Sequence, residues 1–432
     1  MTALRRSRRA LLGTALTPAL LAACGSDEDL EALPKSGESQ GKLVYATWGT
    51  QQRQEIEHWS LLAFEKNYPD LRVDIIASET PDDHVRKVIS MLSTGAPADV
   101  FRLPSWSAPT FYNEEAVTRL DPYMKRDGFK PEHLAQPFDV AMFKRRWYAL
   151  PRGQHGTYVM FYNRTLFQRA GVKPPAATWT WEDFLSSSRE LTRPNAPTAQ
   201  WGTQLESLAD FYYPWLWGNG GDDLERTGEK ATLNQEPARD ALRWLADLRL
   251  KHRVTPDWKE LPQGPSAFAS GRVALWFGPA DAELTLKKMS DVDFGIAPQP
   301  KGKQGQQAAY MPDVVAMASG SQAPNDAWEL LQYLVDVDTQ RLEYENGLWL
   351  PQSKALVGEE AYLKPTGAPH DRRPGIPGAG LRPRTPTLVP RADDIRRAMQ
   401  KDLEPFWRGA KGVVEATDAA TQSANAILNG EA

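Results

Sequence analysis

The sequence predicts a two-domain α/β protein in which each lobe is an open sheet flanked by helices. Three observations lead there. Strand-like and helix-like apolar patterns alternate through both halves of the chain. At 432 residues the chain exceeds what one hydrophobic core usually serves. The only cysteine, Cys24, lies near the start, so the body carries no disulfide and must be held by burial.

In the first half, Leu43 to Thr47 reads as a buried strand. Ile56, Trp59, Leu62 and Phe64 then recur near helical spacing until Pro69. Leu71 to Ile76 alternates as a second strand, and Val85, Val88, Ile89 and Leu92 form a helix face that Gly95 ends. Asp99 to Leu103 is a third strand. Strands separated by helices of this length imply parallel pairing through right-handed crossovers, with ligands at the carboxyl ends of the strands.

A second α/β region follows Tyr148-Ala149-Leu150-Pro151 and opens with a strand over Thr157 to Tyr162. Thr180 ahead of Trp181-Glu182-Asp183-Phe184 is an N-cap followed by an acidic first turn. Ala238, Ala241, Leu242, Leu245 and Leu248 form an amphipathic helix. Val273 to Phe277, Phe294 to Ala297 and Asp313 to Ala318 read as strands, and Ala327, Leu330, Leu331 and Leu334 as a helix face. Two helices, about 393–406 and 414–428, finish the chain. The proline-crowded stretch from Thr366 to Asp394 is an irregular connection over the surface.

The N-terminus reads as an export signal. Arg5, Arg6, Arg8 and Arg9 precede an apolar run from Ala10 to Ala23 that is too short to span a bilayer. Leu21-Ala22-Ala23-Cys24 is similar to the lipobox of bacterial lipoproteins, which implies cleavage before Cys24 and acylation of its thiol. Ser7 to Gly13 also resembles a twin-arginine signal, although Leu11 and Gly13 depart from it. Residues 24–41 are polar and make a flexible tether. Without residues 1–23, 47 basic residues face 55 acidic ones, a net −8, which argues against a nucleic-acid partner.

Fifteen tryptophans are a rich supply, and carbohydrate clefts use rigid aromatic faces with a few placed polar groups. Trp59, Trp179, Trp181 and Trp328 read as core residues by their helical positions. Trp48 and Trp106 end first-lobe strands, Trp217 precedes Gly218-Asn219-Gly220-Gly221, and Trp276 ends a second-lobe strand, so these four are candidate ligand contacts. Asp99 reads as a loop or helix anchor. Arg152 and Arg272 could meet a charged solute, although single arginines are usually solvated or paired.

Taken together, Trp48-Gly49, Tyr68 to Val73, Gly95 to Val100, Tyr148 to Pro151, Phe161 to Phe167, Ala170-Gly171, Pro174-Pro175, Thr178-Trp179, Phe184, Gly271 to Leu275 and Gly295 to Pro298 form an ordered pattern. The chain resembles extracellular solute-binding protein family 1, the sugar-type binding lipoproteins of ABC importers related to maltose-binding protein. The resemblance implies a type II periplasmic-binding-protein fold: two lobes joined by hinge strands, closing over a solute that contacts both. It implies crossings near Phe138 to Phe143, Tyr310 to Val314 and Trp349 to Gln352. The expected division is a signal peptide at 1–23, a lipid-anchored tether at 24–41, an N-lobe of 42–140 plus 313–350, and a C-lobe of 141–312 plus 351–432.

By the same resemblance His155, Tyr310, Asp313 and Trp349 join the candidate ligand contacts. His155 stands where some maltose-binding relatives place an acidic group, which speaks against a maltose-like specificity. The implied function is capture of a mono- or oligosaccharide outside the cell and its delivery to ABC-transporter permease subunits, by a monomer that uses no cofactor. The six histidines never fall at metal-ligand spacing, so no metal site is expected. Two alternatives stay open: a binding protein for an anionic glycerophosphate-type solute, and an exported carbohydrate-active enzyme, since 55 acids always offer some plausible carboxylate pair.

Overall fold

The computed structural model describes residues 41–134, 138–153, 157–205, 209–257, 260–261, 264–289, 291–376 and 382–431. The signal, the tether up to residue 40, Cys24 and His155 lie outside these. In chain order the strands are β1 (Lys42–Trp48), β2 (Arg72–Ser78), β3 (Val100–Leu103), β4 (Met142–Phe143), β5 (Arg146–Trp147), β6 (Ala149–Pro151), β7 (Tyr158–Asn163), β8 (Trp201–Gln204), β9 (Val273–Pro279), β10 (Phe294–Ala297), β11 (Gln307–Ala309), β12 (Val314–Met317) and β13 (Arg382–Arg384).

The first lobe is built on the sheet β2-β1-β3-β12-β6. β1 pairs in parallel with β2 and β3, as strands joined by helices must. β12, in the segment assigned to the first lobe, runs antiparallel to both β3 and β6, and β6 thereby joins this sheet although the expected division put it in the second lobe. Alternate residues of β1 feed opposite faces: Leu43 and Tyr45 join Phe64 and Trp328, while Ala46 joins Phe101 and Phe111. Thr50 and Thr80 cap the helices Gln51–Asn67 and Pro81–Ser93 that cover the sheet.

The second lobe has the sheet β10-β7-β9-β8, in which β7 is antiparallel to β9 and β10 and β8 is parallel to β9. One face packs on the helices Trp181–Leu191, Glu236–Leu250, Ala392–Trp407 and Val413–Leu428. The other packs on Phe268, Leu286, Leu350 and Tyr362. Thr180 and Asp183 form a reciprocal capping box, and Gly171 at φ +70° ends the helix Arg164–Ala170 in a conformation that L side chains resist.

Two expectations are corrected here. The segment from Phe138 to Phe143 does not cross between lobes: Val140 and Ala141 lie in the first-lobe core, Tyr112 Oη donates to the Val140 carbonyl at 2.8 Å, and β6 pairs with β12. The chain therefore leaves the first sheet only after Pro151, some ten residues later than the division at 140. Trp59 is 56% exposed rather than core, because the buried stripe of its helix runs through Ile56, Ser60, Leu61 and Phe64. At the third crossing, Leu348 and Trp349 cluster with Ile56 of the first lobe, while Leu350 packs into the second.

A cleft floored by a stacked arginine

Three of the sequence-predicted residues meet around one residue that the sequence reading passed over. Arg102 of β3 is 1% exposed and lies between two tryptophans, its guanidinium carbon 3.5 Å from the Trp48 ring centroid and 4.2 Å from that of Trp349. Its Nε and Nη2 donate to Asp313 Oδ2 at 3.1 and 2.7 Å, and Nη1 donates to the Trp48 carbonyl at 3.0 Å. A buried guanidinium needs this pairing, and here one side chain ties two first-lobe strands to the second and third crossings. The signal was present in the sequence: an arginine inside Val100-Phe101-Arg102-Leu103, a strand buried at every position, had to have an acidic partner.

His84 rests on the Trp48 ring at 4.9 Å, and its Nε2–H donates to the Arg102 carbonyl at 2.7 Å. Burial pushes this imidazole down to about 4, so it is neutral in the folded protein. Gly153, at φ +73°, sits against the Trp349 ring, where a Cβ would stand 3.3 Å from Cδ2. Behind the floor, Arg152 donates to Glu57 at 2.6 Å, to Glu343 at 2.7 Å and to Tyr45 at 2.8 Å, all buried. Thus Arg152 is salt-bridged, one of the two roles foreseen for it. Burial raises the Glu343 carboxyl above the ordinary glutamate range.

The lobes meet at both ends of this floor. Arg53 donates to Asp281 at 3.3 Å and Lys288 to Gln52 at 3.1 Å. At the other end the Arg391 amide donates to Thr110 at 3.1 Å, and the Arg396 guanidinium lies 5.4 Å from the Trp106 ring. Trp106 is therefore an interlobe contact at the rim, apart from the Trp48–Trp349 group.

The remaining candidates lie elsewhere. Tyr310 is buried at the second crossing, donating its hydroxyl to Gln352, which in turn donates to the Gly153 carbonyl at 2.7 Å. Trp217 is inside the helix Ala209–Asn219 rather than before a loose glycine turn; it stacks on Tyr213 at 5.2 Å and donates to Asp222 at 2.8 Å. Trp276 is 2% exposed, stacked on Phe161 at 5.3 Å and folded over Gly278. Both are packed as second-lobe core: Trp217 sits in the cluster around its helix, and Trp276 lies on β9, which is buried at nearly every position and offers no open face. Asp99 is an anchor, accepting from the Val44 amide at 2.9 Å and from Ser321 at 2.6 Å.

Two α/β lobes joined by three crossings around the buried Arg102 cluster are the architecture of a hinged solute-binding protein. The chain belongs to the bacterial extracellular solute-binding protein family, whose model matches residues 49–341. A binding protein of Brucella abortus (strain 2308) is 23% identical over 309 residues, covering 70% of this chain and 73% of the relative. Among solved structures, an ABC substrate-binding protein of Listeria monocytogenes in complex with cycloalternan aligns with a TM-score of 0.80 at 19% identity, covering 90% of this chain and 99% of that one. UgpB of Mycobacterium tuberculosis in complex with glycerophosphocholine aligns with a TM-score of 0.75 at 18% identity, covering 89% and 98%. These likenesses establish the type II periplasmic-binding-protein fold. No helix among the described residues is long and apolar enough to cross a membrane.

Proposed function

We propose that this protein captures an uncharged mono- or oligosaccharide in the interlobe cleft and hands it to the permease of an ABC importer. The observation that carries the choice of a neutral solute is the pairing of the cleft arginines. Arg53 meets Asp281, Arg102 meets Asp313, Arg391 meets Asp394 and Arg396 meets Asp393. A phosphate-bearing solute would need guanidinium groups free to receive it; these four are already neutralised. The cycloalternan complex of the Listeria relative agrees with this reading, and the glycerophosphocholine complex of UgpB represents the rival.

On this reading Trp48, Trp349 and Asp313 form the floor under the solute, Trp106 closes the far rim, Tyr310 acts from the second crossing, and His155, outside the described residues, is a further contact. The protein works as a monomer, exported and held at the membrane by acylated Cys24. Titration calorimetry against neutral saccharides and glycerophosphodiesters tests the proposal. A saccharide should bind with little dependence on salt. Tight binding of a glycerophosphodiester with no saccharide bound would overturn it.

A further inference from the structure

The second lobe contains a cavity of about 520 Å³ that the cleft does not account for. Its walls include Val159 of β7, Ile296 of β10, Leu350 and Val357 after the third crossing, Leu363, and Ile376 from the long connection. It lies on the other side of the crossing strand from the Arg102 floor. Trp349 turns toward Arg102, whereas Leu350, the next residue, packs into the second-lobe cluster.

Polar groups do reach the cavity, but its buried ion pair is bonded internally, and the exposed Lys354 donates to the Glu132 carbonyl at 2.7 Å. Both Glu283 carboxylate oxygens accept from Arg372, at 2.6 and 2.9 Å. Arg372 Nη1 donates to the Tyr362 carbonyl at 2.5 Å and to Tyr344 at 2.9 Å. The Tyr310 hydroxyl, also at this wall, donates to Gln352. A charged or strongly hydrogen-bonding guest would lose its hydration against mostly apolar walls. Apolar cavities take up apolar guests such as benzene, and this volume lies within the range of small-molecule sites.

We propose that this cavity is a second binding site, for an uncharged apolar small molecule, lying beyond Tyr310 from the Arg102 cluster, with Tyr310 the one residue of the proposed solute set that borders it, and independent of which solute the cleft takes. Fluorobenzene serves as the probe, followed by ¹⁹F NMR line broadening on the full-length protein. Binding to the wild type is expected, with at least a tenfold loss of affinity in Val357→Trp and in Leu363→Trp, each checked for an unchanged melting profile. No binding to the wild type, or undiminished binding to a folded filled variant, would overturn the proposal, as would displacement of the probe by the cleft solute. Should both variants fail to fold, crystals under xenon pressure decide: density between Val159 and Ile296 supports the site, and its absence there refutes it.

Discussion

Arg53 of the first lobe and Asp281 of the second face each other across the cleft, 3.3 Å from nitrogen to oxygen. Asp281 is nearly buried and Arg53 about a quarter exposed. A partly exposed pair is worth up to about 1 kcal/mol. Because this one exists only when the lobes are together, that energy belongs to closure rather than to the folding of either lobe. Arg53→Ala should therefore weaken solute binding by up to about fivefold in calorimetry, with the melting temperature of the unliganded protein unchanged. Equal affinity in variant and wild type would remove the pair from the closing energetics.

Trp276→Ala should cost about 3–5 kcal/mol in urea unfolding, the range for deleting a large buried ring. The sequence alone suggested a ligand contact at the end of a strand. Stacking on Phe161 and contact with Gly278 argue for the opposite.

Glu57 and Glu343 share Arg152 but differ in what else they hold. Glu57 also accepts from Tyr45 at 3.2 Å and from Thr47 at 2.9 Å, and burial favours the protonated form of Glu343. Glu57→Gln should thus lose about 1–3 kcal/mol, as when a buried group is left without its partner. Glu343→Gln, which resembles the protonated acid, should lose less. The reverse order in chemical denaturation would contradict the arrangement.

Two buried groups make the folding stability respond to pH in opposite senses. Burial, with Asp222 beside it, raises the Asp223 carboxyl to about 7 from 3.8, so between these values the folded chain holds the extra proton and stability falls as pH rises. His84 is lowered to about 4 from 6.5, so between those values the unfolded chain holds the extra proton and stability rises with pH. Across about pH 4–6.5 the two slopes oppose one another. Relative to wild type, Asp223→Asn should gain a rising slope and His84→Gln a falling one, each up to about 1.4 kcal/mol per pH unit. Denaturant melts at pH 4.5, 5.5 and 6.5 measure both.

Cys24→Ser should move the protein from the membrane fraction to the soluble one while leaving solute binding intact. Retention at the membrane would rule out the acyl anchor.

The legible parts of the sequence were those written locally. The progression from β1 to β3, the Thr180 cap and the last two helices each follow from periodicity and end signals within a few residues. Pairing of β12 between β3 and β6 joins residues more than 150 apart and leaves no local trace. Trp48, Asp313 and Trp349, candidates from strand ends and crossings, are the ones that meet around Arg102. Arg102, their common partner, was not a candidate, since attention to aromatic faces overlooked the one cation in an apolar strand. Trp217 and Trp276 misled because elements buried on all sides carry no alternation to show which way a ring points.

The position of β12 also orders events during synthesis. When residues through Pro151 have emerged, β2, β1 and β3 can assemble, yet a slot one strand wide separates β3 from β6 until residues 314–317 arrive. Through that interval of about 160 residues the nascent chain exposes two raw backbone edges that invite foreign strands. Premature pairing is the hazard this topology creates.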